Sequence, residues 1–434
     1  MNWSLLHNFA SRSTIDQILI AKSITYQYYG SKPHHSYWNG CSTGGRQGYA
    51  VAQKYPELLD GILATAPAAS FVNLAVGELW PQVVMNKANV YLSNCELEYF
   101  RYQAIKACEN EFDLKTGILE DPQSCGWSPK SLVGEAFECE GQVTVSREMA
   151  EVVQAIHDGP GSTVADRKFT GLAWGVPMTA LADITTAEDG TRSPNPFIIP
   201  QNWLRQVILQ DEEFDFSTLD EDRWHSLWVS ALSEFGGIIN TDDPDLSKLR
   251  DSGTKMLTWH GIDDPVIPYQ HTTEYRRKVE AIMGPDVNEY YRLFLAPGVL
   301  HCGGGVGPVP KDPLDTLVKW VEDNEQPETL EAEIVGADGD LVTRNLCIYP
   351  AVARYIGVGD PKRASTWTCI GGTERPSTAE QVVESEFDYG SMHQAPLVGG
   401  DHKNKPERES GRAGEILGGL KDRIEGLGLG LHAE

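Results

Sequence analysis

The sequence predicts an α/β fold with a parallel sheet and one large insertion, and three observations carry that prediction. The first is Gly40-Cys41-Ser42-Thr43-Gly44, with aromatic Tyr37 and Trp38 leading in and a helical stretch from Gln47 to Tyr55 following. The second is the return of the same strand-then-helix rhythm in Lys255 to Gly261 and about Tyr269 to Met283. The third is the interval between about residues 70 and 250, where the rhythm breaks into turn-rich pieces with Trp80, Trp127, Trp174, Trp203, Trp224 and Trp228 scattered through it. Alternating strands and helices pack as a parallel sheet with helices on its faces.

In chain order, residues 12–29 carry Ile15, Ile18, Leu19, Ala21, Ile24 and Tyr28 at roughly helical spacing, and Gly30 to Pro33 end the helix. Tyr37 to Asn39 read as a short strand. The G-x-S-x-G that follows needs a strand, a tight turn and a helix around it, and that context is present. The glycines sit where a side chain would block the turn. Ser42 is then raised above the sheet edge at the positive end of a helix, and the Thr43 backbone N–H faces a developing oxyanion. Leu58 to Thr65 reads as a buried parallel strand closed by Ala66-Pro67-Ala68.

Glu289 to Leu295 reads as the last strand of the set and ends in Ala296-Pro297-Gly298-Val299-Leu300-His301-Cys302. Asp264 and His301 therefore each sit on a loop just past a strand, in the order Ser42, Asp264, His301, which is the order of the α/β-hydrolases. Serine is a weak nucleophile and needs a base. His301 supplies one, and Asp264 orients the ring and stabilises the imidazolium. The plainer reading makes Asp264 a turn-capping carboxylate before Pro265, a job for which Asp263 is the better candidate. His260 competes for the role of base but lies inside the strand end, where packing explains it.

Length and charge bound the function. A chain of 434 residues exceeds one ordinary core. A formal charge of −26 argues against nucleic acid and anionic membranes as partners. No apolar run approaches the about 18 residues of a membrane helix. Met1 to His7 shows no basic region followed by an apolar stretch, so no signal peptide is visible. The eight cysteines, Cys41, Cys95, Cys108, Cys125, Cys139, Cys302, Cys347 and Cys369, include no zinc-type pairs, and they read as disulfides formed in an oxidising, extracellular setting. Cys41 precedes Ser42 and Cys302 follows His301, so a bond between them ties nucleophile to base. It closes a loop of roughly 260 residues, on the order of 4–5 kcal/mol by chain entropy.

With these segments in view, the chain resembles the tannase and feruloyl esterase family of carboxylic ester hydrolases. The matching residues are Tyr37 to Gly48, Tyr55-Pro56-Glu57, Asp60-Gly61-Ile62, His260 to Pro265, Pro297 to Gly304 and Arg344 to Pro350. The likeness runs from about residue 7 to 372. It implies an α/β-hydrolase fold with a large disulfide-pinned lid, and catalytic Ser42, Asp264 and His301. It implies disulfides Cys41–Cys302, Cys347–Cys369, Cys95–Cys108 and Cys125–Cys139. It implies no required cofactor, and substrates that are small esters of galloyl or hydroxycinnamoyl acids, from tannin or plant cell wall, bound under the lid.

Two departures from the family follow. Its lid carries a calcium loop, but here Glu109, Phe112 and Thr116 stand at three carboxylate positions. Glu109, the carbonyls of Leu114 and Ile118, and Asp113 as a substitute are the remaining candidates for calcium. The second departure is at the ends. About 40 residues precede Ser42, room for one helix and one strand, so the first strands of the sheet and a second oxyanion donor are expected to be missing, and turnover to be low. The resulting organisation is core 1–69, lid 70–250, core 251–372 and a polar, disordered tail 373–434. The alternatives to an esterase are a catalytically inactive relic of the family and a serine peptidase on the same fold.

Overall fold

The computed structural model describes residues 1–109, 116–139, 141–161 and 169–371; the tail expected over 373–434 lies outside them. Helix α1, Ser13–Tyr29, ends at Gly30, whose left-handed backbone (φ 71°) lets its N–H cap the Tyr26 carbonyl. Strand β1, Tyr37–Cys41, leads into helix α2, Thr43–Lys54. Strand β2 is Gly61–Thr65, preceded by a 3-10 turn at Pro56–Leu58 that shortens the expected strand. After the insertion come β3, Lys255–Gly261, helix α3, Tyr269–Met283, and β4, Tyr291–Ala296.

The four strands form one sheet in the order β1-β2-β3-β4, every neighbour parallel. Successive side chains alternate between its faces. Ile62, Ala64, Met256 and Tyr291 point to one face, against Tyr49 of α2 and Tyr275 and Val279 of α3. Leu63, Leu257, Trp259 and Phe294 point to the other, under Leu317 and Trp320 of helix α4, Pro313–Glu322. Strands β5, Thr329–Val335, and β6, Leu341–Cys347, complete that second layer as an antiparallel pair. The Tyr49 hydroxyl shares hydrogen bonds with Tyr291 (2.7 Å) and Thr258 (3.1 Å), so α2 is fixed against β3 and β4 by polar as well as apolar contact.

Helix α2 begins four residues before the helical pattern in the sequence. Gly44 and Gly45 are poor helix formers and read as turn, yet both lie in the helix. The reason at Gly45 is close approach: a Cβ there would meet the Thr65 carbonyl oxygen at 2.6 Å, so only glycine lets α2 start against the end of β2.

The inserted residues build a core of their own. Trp80, Phe100, Phe169, Trp203, Trp224 and Phe235 are buried in one cluster, which also takes in Ile262, Val266, Ile267 and Tyr269 from the stretch after β3. The helix Arg147–Asp158 buries Met149, Ala150, Val152, Val153 and Ile156, one face at 3.6-residue spacing. The helix Asn94–Cys108 starts with a capping box between Ser93 and Glu96. Packing thus connects the insertion directly to the loop that bears Asp264.

Candidate active site

Ser42 stands between β1 and α2 with φ 62° and ψ −121°. A non-glycine residue with positive φ costs on the order of 1–2 kcal/mol and persists only where its surroundings over-determine it. Here the Ser42 N–H donates to the Thr65 carbonyl (3.0 Å), and its carbonyl accepts from the N–H groups of Arg46 (3.0 Å) and Ala68 (3.2 Å). The turn also requires Gly40, where a Cβ would meet the Gly44 carbonyl carbon at 2.6 Å. At Gly44 a Cβ would meet nothing within 4 Å, so that glycine is not a steric requirement. The Ser42 side chain makes no capping bond to α2. Thr43 is the first residue of the helix, where the backbone N–H has no intrahelical acceptor.

Arg46, one turn into α2, is fully buried. Its guanidinium donates to the carbonyls of Phe9 (2.8 Å), Ala10 (2.9 Å) and Ile239 (3.2 Å), and it lies 4.7 Å from the Phe9 ring. Burial lowers its pKa to about 10, which leaves it charged at neutral pH. Helix α2 is thus pinned to the N-terminal segment and to the insertion at once.

Asp264 is buried on the loop after β3 and uses both oxygens. Oδ1 accepts from the N–H groups of Val266 (3.0 Å) and Ile267 (2.9 Å). Oδ2 lies 2.7 Å from His301 Nδ1 and 3.1 Å from His260 Nε2. Burial alone would raise this carboxyl, but the hydrogen bonds from His260 and His301 outweigh it and hold the pKa at about 2. Asp264 is therefore ionised at any physiological pH. His301 has a quarter of its side chain exposed, and with Nδ1 committed to Asp264 the ring nitrogen open to a further partner is Nε2. Among the described residues, no hydrogen bond joins the Ser42 hydroxyl to His301; catalytic hydrogen bonds are often long before substrate binds.

Two sequence expectations change here. The turn-capping carboxylate is Asp264 itself, not Asp263, so one residue both shapes the loop and meets the histidine. Asp263 instead accepts from the Gly298 N–H at 3.3 Å, pinning the loop that bears His301, and burial pushes its carboxyl up to about 7 against the partial pull of Arg101. His260 is buried as expected, but it is more than packing, because it bonds the same carboxylate oxygen as His301. The signal that could have found it is its position four residues before Asp264 at the end of an apolar strand.

All eight cysteines are paired. Cys41–Cys302 forms as expected, with Cα atoms 5.9 Å apart, and joins the residue before Ser42 to the residue after His301. Cys347–Cys369 also forms, at 5.7 Å. The other two expected pairings are wrong: the bonds are Cys95–Cys139 and Cys108–Cys125. Cys95 and Cys108 lie near opposite ends of one helix, Asn94–Cys108, and a rise of 1.5 Å per residue holds them roughly 20 Å apart, far beyond a disulfide.

Of the calcium candidates, Asp113 and Leu114 lie outside the described residues. The Glu109 carboxylate accepts from the Gly117 N–H, and the Ile118 carbonyl from the Thr116 hydroxyl at 3.5 Å. Among the described residues no group of three or more His, Cys, Asp or Glu could hold a metal ion. Calcium takes six to eight oxygens.

The family described as tannase and feruloyl esterase matches residues 1–370. A probable feruloyl esterase of Arthroderma benhamiae is 43% identical over 376 residues, covering 85% of this chain and 70% of that protein. Feruloyl esterase C of Talaromyces stipitatus is 29% identical over 395 residues, covering 85% and 72%. Among solved structures, an esterase from Aspergillus oryzae aligns with a TM-score of 0.73 at 26% identity, covering 84% of this chain and 74% of that one. Tannin acyl hydrolase from Aspergillus niger shares the fold, with a TM-score of 0.78 at 22% identity and coverage of 91% and 74%.

Proposed function

The chain belongs to the tannase and feruloyl esterase family of ester hydrolases, and from that premise we propose that it cleaves esters of aromatic acids through Ser42, His301 and Asp264. One observation carries the reading. His301 Nδ1 sits 2.7 Å from an ionised Asp264 oxygen, while the Cys41–Cys302 bond holds the same histidine's neighbour to the neighbour of Ser42.

In this mechanism His301 Nε2 takes the Ser42 proton as Oγ attacks the ester carbonyl. Asp264 fixes the ring with Nδ1 protonated and stabilises the imidazolium. The Thr43 N–H, at the positive end of α2, donates to the oxyanion. His301 returns the proton to the leaving alcohol, which departs and leaves an acyl group on Ser42. A water molecule, deprotonated by His301, attacks that acyl group, and the free acid leaves as Ser42 regains its proton. No step needs a cofactor, so activity should survive a calcium chelator.

The feruloyl esterase names of the relatives favour hydroxycinnamoyl over galloyl substrates. The inserted segment 70–250 serves as the lid over the acyl group, since its core reaches Ile262, Val266 and Ile267 on the Asp264 loop. Four disulfides support an extracellular setting. The test is hydrolysis of methyl ferulate and methyl gallate by the wild type and Ser42→Ala. The variant should lose turnover of both; wild-type rates in Ser42→Ala would end the reading.

A further inference from the structure

His260 is the penultimate residue of β3, four residues before Asp264, and is completely buried. Its Nε2 lies 3.1 Å from Asp264 Oδ2 and 3.0 Å from the Ile267 carbonyl oxygen. A carboxylate and a carbonyl can only accept, so Nε2 must carry the hydrogen. Its Nδ1 lies 2.8 Å from the Thr272 hydroxyl of α3, which donates to it when the ring is neutral. Burial takes His271 down to about 4, and burial with the charge of Asp264 pushes the Glu78 carboxyl well up. With the ring neutral, Thr272 donates to His260 Nδ1, and His260 and His301 both donate to Asp264 Oδ2.

We propose that His260 is a positioning residue of the esterase: through Nε2–H it fixes the rotation of the Asp264 carboxylate, so that Oδ2 meets His301 Nδ1 in the orientation catalysis needs. The inference rests on the Ser42–His301–Asp264 reading. The backbone donors of Val266 and Ile267 hold only Oδ1. They leave the plane of the carboxylate free to turn about that contact. Oδ2 needs a second donor to hold it while the His301 ring changes charge through the reaction, and the rigid, buried imidazole at the strand end supplies it. Removing one hydrogen bond to an ionised group in a buried site is expected to lower kcat by about 10- to 100-fold. Substrate binding does not involve His260, so KM should stay within about twofold.

A histidine that merely filled the core would give a different result, a loss of stability with kcat per folded molecule unchanged. The experiment uses the full chain with three substitutions. His260→Phe keeps an aromatic ring and removes the donor. His260→Gln restores an N–H that can reach Asp264. Thr272→Val leaves the imidazole but removes the hydroxyl that holds its other ring nitrogen and so steadies the direction of Nε2–H. Folded active sites are counted by labelling Ser42 with a fluorophosphonate, and kcat on methyl ferulate is expressed per labelled site. The expected order is wild type, then Gln and Val at losses of several-fold, then Phe at the largest loss. Equal losses in the Gln and Phe variants, or wild-type kcat in Phe, would overturn the proposal. If Phe does not fold, the Gln and Val variants decide: wild-type kcat in Thr272→Val, or a Gln variant as slow as about 100-fold, overturns it. A wild type that is active yet unlabelled at Ser42 overturns the esterase mechanism instead, and this inference with it.

Discussion

Replacing Cys41 and Cys302 together by alanine separates what the disulfide does for stability from what it does for catalysis. The bond spans 261 residues of sequence, the longest separation of the four. In the chain-entropy treatment a loop of that length is worth about 5.6 kcal/mol. The local effect is separate. Cys302 itself has φ 60°, a conformation costing on the order of 1 kcal/mol for a residue with a Cβ, and the disulfide is what helps hold it there. Once released, the turn that follows His301 can relax and move Nε2 away from Ser42. A displacement of about 1 Å at a reacting pair can cost about 100-fold in rate. The control is Cys95→Ala with Cys139→Ala, a bond spanning 44 residues within the insertion and worth about 4 kcal/mol on the same scale. Urea unfolding and kcat on methyl ferulate are measured for both pairs. Both should lose several kcal/mol, and only the Cys41/Cys302 pair should lose kcat at 25 °C under strongly native conditions. Equal kcat in the two double variants would refute the idea that this bond positions base and nucleophile.

Two further outcomes follow from buried charge. Arg46→Met removes the donors of three carbonyl groups at Phe9, Ala10 and Ile239, and should lower stability by about 3 kcal/mol in denaturant melts, while Arg46→Lys should recover only part of it because one ammonium cannot reproduce the guanidinium fork. Asp263 has a folded pKa of about 7 against 3.8 unfolded, so the folded protein binds the extra proton and stability falls as pH rises through that window. Asp263→Asn can still accept from Gly298 and does not ionise; its melting temperature should match wild type near pH 4 and exceed it by several degrees at pH 8, and a difference that does not vary with pH would argue against the assignment.

The parts legible in the sequence are those governed by short-range rules. The strand, turn and helix around Ser42 could be read because Gly40, the lead-in aromatics and the helical run of Tyr49, Val51 and Ala52 lie within one stretch. Asp264 and His301 were legible because each follows an apolar strand whose end is marked by glycine or proline. The disulfides of the insertion were not, since the partner of a cysteine depends on which elements pack together. Recognising that Asn94–Cys108 is one continuous helix would have excluded Cys95–Cys108, and the capping pair Ser93 and Glu96 was the available clue. The start of α2 is not legible because glycines in a row read as turn, and the close approach of Gly45 to Thr65 that admits them to the helix is a tertiary contact. The division of work between Asp263 and Asp264 was also hidden. Adjacent carboxylates look alike in sequence, and only burial and the direction of Oδ1 and Oδ2 separate them.

The most direct measurement traps the acyl-enzyme. An aryl ferulate ester is mixed with the protein, quenched in acid within the first turnover, and the digest is searched by mass for a feruloyl group. The account predicts a burst of one aryl alcohol per active site and the feruloyl group on the peptide containing Ser42, with both absent in Ser42→Ala. A feruloyl group on another residue, or steady hydrolysis by Ser42→Ala, would contradict it.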